Sequence, residues 1–448
     1  MPDLTTINSF INHIVWGPYM LILLVGVGIF FTFKLHFFPV RHFPVWWRKT
    51  ALSFFYSKNR PSSEKISPFQ AMATALAGSI GTGNIVGVAN AIALGGAGAV
   101  FWMWVAAFFG MSTVFAENVL GVKYRIKRNG KFVGGPMYYI EKGLHCKWLA
   151  VIFAVFCTLA AFGMGNMTQA NSVSGALQNG FGISPQISGI VLALFVGVII
   201  FGGIDRISKL TEKLVPVMAV IYTLAVFIVI AVNFREIPYA FSEIFTQAFD
   251  CKAVTGGFMG YGMAKAVKYG ISRGVFSNEA GLGSSPIVHS AADTDNPYEQ
   301  GMWGIFQVFI DTIVLCTLMA LCILTTHADK TGLDGIRLST YSFESVLGFA
   351  GNLFMSLSII LFAFATLISW SYYGEKSLEY LTDGKYITAY RIFYALVTYI
   401  GCITNISLVW DISDTINGLM AIPNLAALVL LSSKVTYSEL SDKLLRKR

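Results

Sequence analysis

Charge is what this sequence has least of. Lys, Arg, Asp and Glu make up only 12% of its 448 residues, where a soluble domain usually carries about a quarter. With 55% hydrophobic residues and a mean hydropathy of +0.63, the chain does not read as a soluble globule, a disordered segment or a coiled coil. Cysteine is sparse too. The six, at 146, 157, 251, 316, 322 and 402, lack CxxC spacing and fall mostly in or beside apolar stretches. Neither a disulfide framework nor a zinc site is indicated. The six histidines are scattered, and there is no HExxH, P-loop or Rossmann glycine fingerprint, so no enzyme class is suggested. One Gly-Tyr-Gly triplet at 260–262 lacks the threonine-valine carbonyl run of a potassium filter.

Long uncharged runs are what is there instead. Residues 4–33, 66–116, 148–204, 214–234 and 345–374 contain no Asp, Glu, Lys or Arg. A membrane span needs roughly 20 apolar residues, so the runs of 51 and 57 residues each hold two helices. Continuous apolar runs replace the alternation that a closed β-barrel requires. The expectation is an all-α integral membrane protein with eleven spans: about 14–33, 67–95, 98–121, 148–178, 185–203, 214–233, 254–292, 300–326, 348–374, 387–405 and 407–433. The first shows no cleavage site and reads as a retained span.

The net charge of +8 does not suggest nucleic acid, because the basic residues lie in loops between spans. Lys and Arg number seven in 34–65, seven in 122–147, three in 206–213, three in 375–391 and five in the tail 434–448. The other side holds Arg235, Lys252, Lys330 and Arg337 only. This 25:4 split predicts an odd number of spans, an outside N-terminus and a cytoplasmic C-terminus. Stretch 35–57 mixes Phe and Trp with basic residues and reads as an interfacial segment on the inner leaflet. Residues 236–249 read as a short amphipathic helix on the outer face.

Two apolar segments are interrupted. TALAGSIGTGNIVGVANAIALGGAGAVF (74–101) and GVFSNEAGLGSSPIVHSAA (274–292) pack Gly, Ser and Asn where a span's middle belongs. Bare backbone at that depth must line a cavity or lie buried in protein. A broken helix there offers N–H groups to an anion and unwound carbonyls to a cation. The competing reading is close helix packing through small residues. Each segment opens a set of five spans, and five is odd, so the second set enters the membrane inverted. Inverted repeats with matching interruptions point to a secondary transporter. The predicted organisation is an extra helix and interfacial segment over 1–66, a first five-helix repeat over 67–252, a second, inverted repeat over 253–433 and a cytoplasmic tail over 434–448.

GTGNIVGVANAIALGGAGAVFWMW (81–104) and GVFSNEAGLGSSPIVHSAA (274–292) resemble the two signatures of the alanine/glycine:cation symporter family, over about residues 67–433. The resemblance implies a leucine-transporter-like fold preceded by one helix, in the cell membrane. It implies uptake of a small neutral amino acid, alanine or glycine, with Na⁺ as coupling ion; no obligate protein partner is inferable from the sequence. By position it places the substrate carboxylate on the amides of Gly81, Thr82 and Gly83. Ser79 (carbonyl) and Asn84 (side chain) match ligands of the ion nearest the substrate. Ala77 and Ile80 (carbonyls) and Thr366 (hydroxyl) match a second ion site. That site departs from the wider fold at Leu367, where a second hydroxyl is expected, and Ser369 is the candidate replacement.

Other polar residues carry two readings each. Asp311, mid-span, is a functional hypothesis by default: a partner for Na⁺, a proton carrier, or a carboxyl bonded to a neighbouring span. A proton-coupled symporter using Asp311 is therefore the alternative function, with a channel behind it. Glu117 reads as structural, Glu279 as a helix cap or gate, and Asp411 and Asp414 as an outer vestibule. Gln169 and Asn171 lie on the fourth span, which lines the substrate site in the parent fold; they read as substrate contacts or as glue between helices. Phe276, Ser277 and Asn278 precede the second interruption, where carbonyls would receive the substrate ammonium. Trp370 follows Thr366 by one turn; it reads as the wall that restricts the pocket to small side chains, or as packing.

Overall fold

The computed structural model describes residues 4–53, 65–249, 261–404 and 407–445. Nearly all of it is helix, because only a helix satisfies its own backbone in hydrocarbon. Among the described residues the single sheet is a two-stranded hairpin, Ile126–Arg128 with Lys131–Val133. Its turn is Asn129-Gly130, both at positive φ, as the twist of a two-residue hairpin requires. Cys251, Lys252 and the proposed repeat boundary at 252/253 lie outside the described residues.

Among the described residues, seven helices are long and apolar enough to cross a membrane: Thr6–Lys34, Gly98–Lys123, Lys147–Phe181, Gly203–Val232, Pro297–Thr325, Phe349–Thr382 and Val409–Leu430. An eighth crossing is the pair Pro68–Ser79 and Thr82–Gly95, bent by 58°. Two further apolar helices, Pro185–Ile200 and Ile387–Ile403, have 16 and 17 residues, or about 24–26 Å of rise. That is short of a hydrocarbon core of roughly 30 Å. The remaining expected span is a helix, Tyr261–Asn278, that carries Lys265, Lys268 and Arg273. So a described helix falls at each of the eleven expected places, but only seven of these places, or eight with the bent pair, meet the length and hydropathy of a crossing.

The two sets that follow the interruptions pack as counterparts. Gly98–Lys123 lies against Pro297–Val308, the next helix of each set. Lys147–Phe162 and Thr168–Phe181 lie against Phe349–Thr382, and Pro185–Ile200 lies against Ile387–Ile403. Outward faces are apolar. On Gly203–Val232, Val217, Val220, Ile221, Leu224 and Ile228 are all exposed at i, i+3, i+4 spacing, a stripe suited to lipid.

The expected short helices also form. Residues 38–41 and 43–49 are helical within the basic aromatic stretch, whose residues 54–57 are outside the described range. Ile237–Ala248 is the helix expected at 236–249. The N-terminal helix is pinned to the last one: Asn12 Nδ2 donates to Asp414 Oδ2 at 3.3 Å, and Trp16 Nε1 donates to the Asp414 carbonyl at 3.0 Å.

Candidate functional site: two helix breaks around a buried carboxylate

The first break follows from local chemistry. Ser67 and Gln70 form a reciprocal capping box that starts the helix Pro68–Ser79. Ile80 and Gly81 then leave helical angles, and Thr82–Asn84 make one tight turn before Val86–Gly95 resumes. The Gly81 N–H turns back to the Ser79 carbonyl at 2.8 Å. The second break runs through three left-handed residues. Tyr261–Asn278 ends at Glu279 (φ 59°), Gly281 (φ 88°) and Gly283 (φ 83°), and a short helix, Ser285–His289, follows. The breaks meet directly: a Cβ on Gly83 would sit 3.3 Å from the Ser277 Cα and 3.4 Å from the Phe276 ring.

Asp311 joins them. Its Oδ1 accepts from Asn84 Nδ2 at 2.9 Å, and its backbone carbonyl accepts from the same amide at 3.0 Å. Its Oδ2 accepts from Ser277 Oγ and Thr312 Oγ1, each at 2.8 Å. Asn278 Nδ2 donates to Thr312 Oγ1 at 3.1 Å. All five residues are fully buried, and Asp311 has no ion pair with any described Lys, Arg or His. The other end of the Asn84 amide is the telling atom. Its Oδ1 is buried and has no hydrogen-bond partner among the described residues, an arrangement that costs about 1–3 kcal/mol unless something fills it. A carboxylate, an unpartnered amide oxygen and a hydroxyl form a hard-oxygen set suited to a small cation.

A second oxygen cluster lies beside the first break. Thr366 Oγ1 approaches the carbonyls of Ala77 at 3.1 Å, Ile80 at 3.4 Å and Phe362 at 3.1 Å. One hydroxyl proton serves one of these well, so the other oxygens keep free lone pairs. Ser369 does not join them; its Oγ donates to the Thr74 carbonyl at 2.6 Å, one turn earlier. Leu367 is fully buried and offers no oxygen from its side chain; its carbonyl accepts from Tyr394 Oη at 2.8 Å.

The remaining expected contacts divide. Gln169 reaches the first break, where its Oε1 accepts from Thr82 Oγ1 at 3.3 Å. Asn171 does not. Its amide donates to the Gly401 and Thr404 carbonyls, at 3.3 and 3.1 Å, and thus ties two helices together. Two residues apart on a helix is about 200° around it, so the two side chains take opposite faces. Trp370 is fully buried, and its Nε1 donates to Glu279 Oε1 at 2.9 Å. Ser284 Oγ donates to Glu279 Oε2 at 2.5 Å. Glu279 therefore connects the second break to Trp370. Glu117 lies elsewhere: it accepts from Asn424 Nδ2, which also donates to the Gly281 carbonyl at 2.9 Å, while Asn424 Oδ1 accepts from Tyr139 Oη. That triad braces the turn of the second break.

Sequence reasoning missed Cys316, whose Sγ lies 3.5 Å from Asn84 Nδ2 and 3.4 Å from Ser277 Oγ. It also missed the π-helical turns Gly163–Met167 and Phe309–Cys316. Such turns occur often at functional sites. On the face that carries the basic loops, a cavity of about 620 Å³ opens beside Lys65, Ile66, Asp293, Tyr372 and Glu375. It is bordered by ion pairs Lys65–Asp293 (3.1 Å), Arg391–Glu375 (2.7 Å), Arg128–Glu379 (3.6 Å) and Lys131–Asp205.

The chain is similar to known proteins at three levels: family, sequence and fold. The sodium:alanine symporter family matches residues 1–443. The sodium/alanine symporter AgcS of Methanococcus maripaludis is 47% identical over 97% of this chain and 96% of its own. A Bacillus subtilis protein described as "Probable sodium/glutamine symporter GlnT" is 41% identical over 96% of this chain and 89% of its own. Among solved structures, a Na⁺-coupled sialic acid symporter in a substrate-bound outward-open state aligns with a TM-score of 0.54 at 15% identity, covering 95% of this chain and 87% of that one. At that identity the likeness is one of fold.

Proposed function

The chain belongs to the sodium:alanine symporter family, and from that premise we propose that it imports alanine or glycine together with Na⁺ by alternating access. It is a multi-pass membrane transporter, not an enzyme. The observation that carries the finer reading is the unpartnered Asn84 Oδ1 buried beside the Asp311 carboxylate, where the two breaks meet.

Asp311, Asn84, Ser277 and the Ser79 carbonyl hold one Na⁺. Asp311 supplies the compensating charge, and the ion relieves the Asn84 oxygen. Ala77, Ile80 and Thr366 offer a second, weaker place for an ion, with Ser369 committed to Thr74. The amino acid lies across both breaks. Its carboxylate meets the amides of Gly81, Thr82 and Gly83, Gln169 supports Thr82, and its ammonium meets carbonyls at Phe276, Ser277 and Asn278. Trp370 closes the side-chain end. Since the ion fixes the backbone that the substrate uses, each ligand raises the other's affinity. The counterpart packing of the two five-helix sets supports an inverted repeat of the leucine-transporter type, eleven spans in all. The cavity on the basic face is the exit, gated by its ion pairs.

Proteoliposomes test this. An inward Na⁺ gradient should drive accumulation of radiolabelled alanine, glycine should compete, and Asp311→Asn should abolish the response to Na⁺. Uptake indifferent to Na⁺ but driven by a pH gradient, and lost in Asp311→Asn, would replace this reading with the proton-coupled one.

A further inference from the structure

We propose that the basic aromatic stretch Lys34–Lys49 is a docking surface for anionic lipid headgroups, and that its occupancy sets the transport rate through Phe309. The proposal rests on the inside placement of this loop and on the symport reading above.

The charge is one-sided. No Asp or Glu occurs between Asp3 and Glu64, while Lys34, Arg41, Arg48 and Lys49 crowd the described part of the loop. None of the four makes an ion pair among the described residues. Lys34 and Arg41 instead lie over the rings of Phe30 and Phe37, at 5.5 and 5.9 Å. Cations left without carboxylates beside a bilayer suit phosphate-bearing headgroups. The same surface exposes Phe33 at 62%, Val40 at 52% and Phe43 at 39%. Apolar side chains exposed beside free cations are what an interfacial helix presents to a membrane.

The inner side of the stretch is built in. Leu35, Phe38 and Trp46 are buried, and Trp46 Nε1 donates to the Pro39 carbonyl at 2.7 Å. Trp46 and Trp47 then meet the Phe309 ring edge-on, at 5.8 and 6.0 Å, and Phe43 meets it at 6.1 Å. Phe309 opens the π-helical turn that carries Asp311 two residues later. A headgroup that draws the basic face toward the bilayer therefore acts on three rings around Phe309, and through it on the turn that presents the candidate ion ligand.

The test uses the full chain, the triple variant R41Q/R48Q/K49Q and Phe309→Ala, in vesicles of phosphatidylcholine with or without about one third phosphatidylglycerol. Energy transfer from tryptophan to dansyl-phosphatidylglycerol reads docking; Na⁺-driven alanine uptake reads coupling. The unchanged chain should show transfer that falls as KCl is raised, and uptake about threefold faster in the anionic vesicles. The triple variant should lose the KCl-sensitive part of the transfer, keeping only that of the tryptophans on the spans, and take up alanine equally in both. Phe309→Ala should keep the transfer and lose the stimulation. Equal energy transfer in the unchanged chain and the triple variant overturns the docking surface. Undiminished stimulation in Phe309→Ala overturns the route through Phe309. Normal energy transfer with no Na⁺-driven uptake in either vesicle defeats the symport reading and leaves the docking surface standing.

Discussion

Asn84 carries more of the chemistry than its type suggests. Its Nδ2 serves both the carboxylate and the carbonyl of Asp311, and its Oδ1 has no partner among the described residues. Asn84→Ala removes a candidate ion ligand and a hydrogen bond to a charged group, the latter worth about 1.5–3 kcal/mol. Half-saturation by Na⁺ should therefore rise about tenfold or more, read from alanine uptake at graded Na⁺; an unchanged value would remove Asn84 from the ion site. Trp370 is a second residue-scale case. Trp370→Leu shortens the wall and leaves Glu279 Oε1 without its donor. Leucine should begin to compete with alanine, while glycine uptake persists; continued exclusion of leucine would mean the indole is packing alone. Gln169 and Asn171 show where residue-level reading has limits. Both are amides on one helix, and only the helical period separates the one at Thr82 from the one at Gly401. Cys316 was invisible for a related reason. An ordinary α-helix does not stack residues five apart, but a π-helical turn does, and no residue type announces such a turn in advance.

At the scale of elements, both breaks were legible because glycine, serine and asparagine are dense where a span's middle should be, and their angles confirm it. The second break is also the more constrained. Gly283 sits at φ 83°, and a Cβ there would lie 2.7 Å from the Pro136 ring and 2.9 Å from the side chains of Asn424 and Phe153. Left-handed strain of about 1–2 kcal/mol and overpacking of about 1–3 kcal/mol both oppose a side chain. Gly283→Ala should lower the melting temperature in detergent by several degrees and depress uptake. Gly262→Ala is the control. It adds a Cβ with nothing within 4 Å among the described residues on a helix, where alanine is favoured over glycine by about 1 kcal/mol. Equal melting temperatures for the two variants would mean that the break is softer than its packing implies. The brace from Glu117 through Asn424 to Gly281 was legible only as "structural", since residues more than 300 apart in the chain give no local signal of their contact.

For the whole molecule, span parity decides the membrane arrangement. Length and hydropathy alone give seven crossings, or eight with the bent pair. Three further helices, Pro185–Ile200, Tyr261–Asn278 and Ile387–Ile403, fall short by length or by charge. Yet the two short ones pack on each other as counterparts, and Ile190, Leu194, Phe195 and Val198 on one, with Ile392, Phe393, Leu396 and Ile400 on the other, are exposed apolar side chains. Faces like these are tolerated in lipid and penalised in water by roughly 25 cal/mol per Å² of apolar surface. Helices of this length cross when the bilayer thins locally, at a cost of fractions of a kcal/mol per Å of mismatch. Eleven crossings would put the termini on opposite sides, and the 25:4 division of Lys and Arg then predicts an inside C-terminus. Eight or ten crossings put both termini on one side. Single cysteines placed at position 3 and position 447 in a chain freed of its own cysteines should separate the cases. In intact cells a membrane-impermeant maleimide should label the first and spare the second until the membrane is opened. Labelling of both, or of neither, would break the inverted pairing, because an even count cannot place two five-span sets antiparallel after one leading helix.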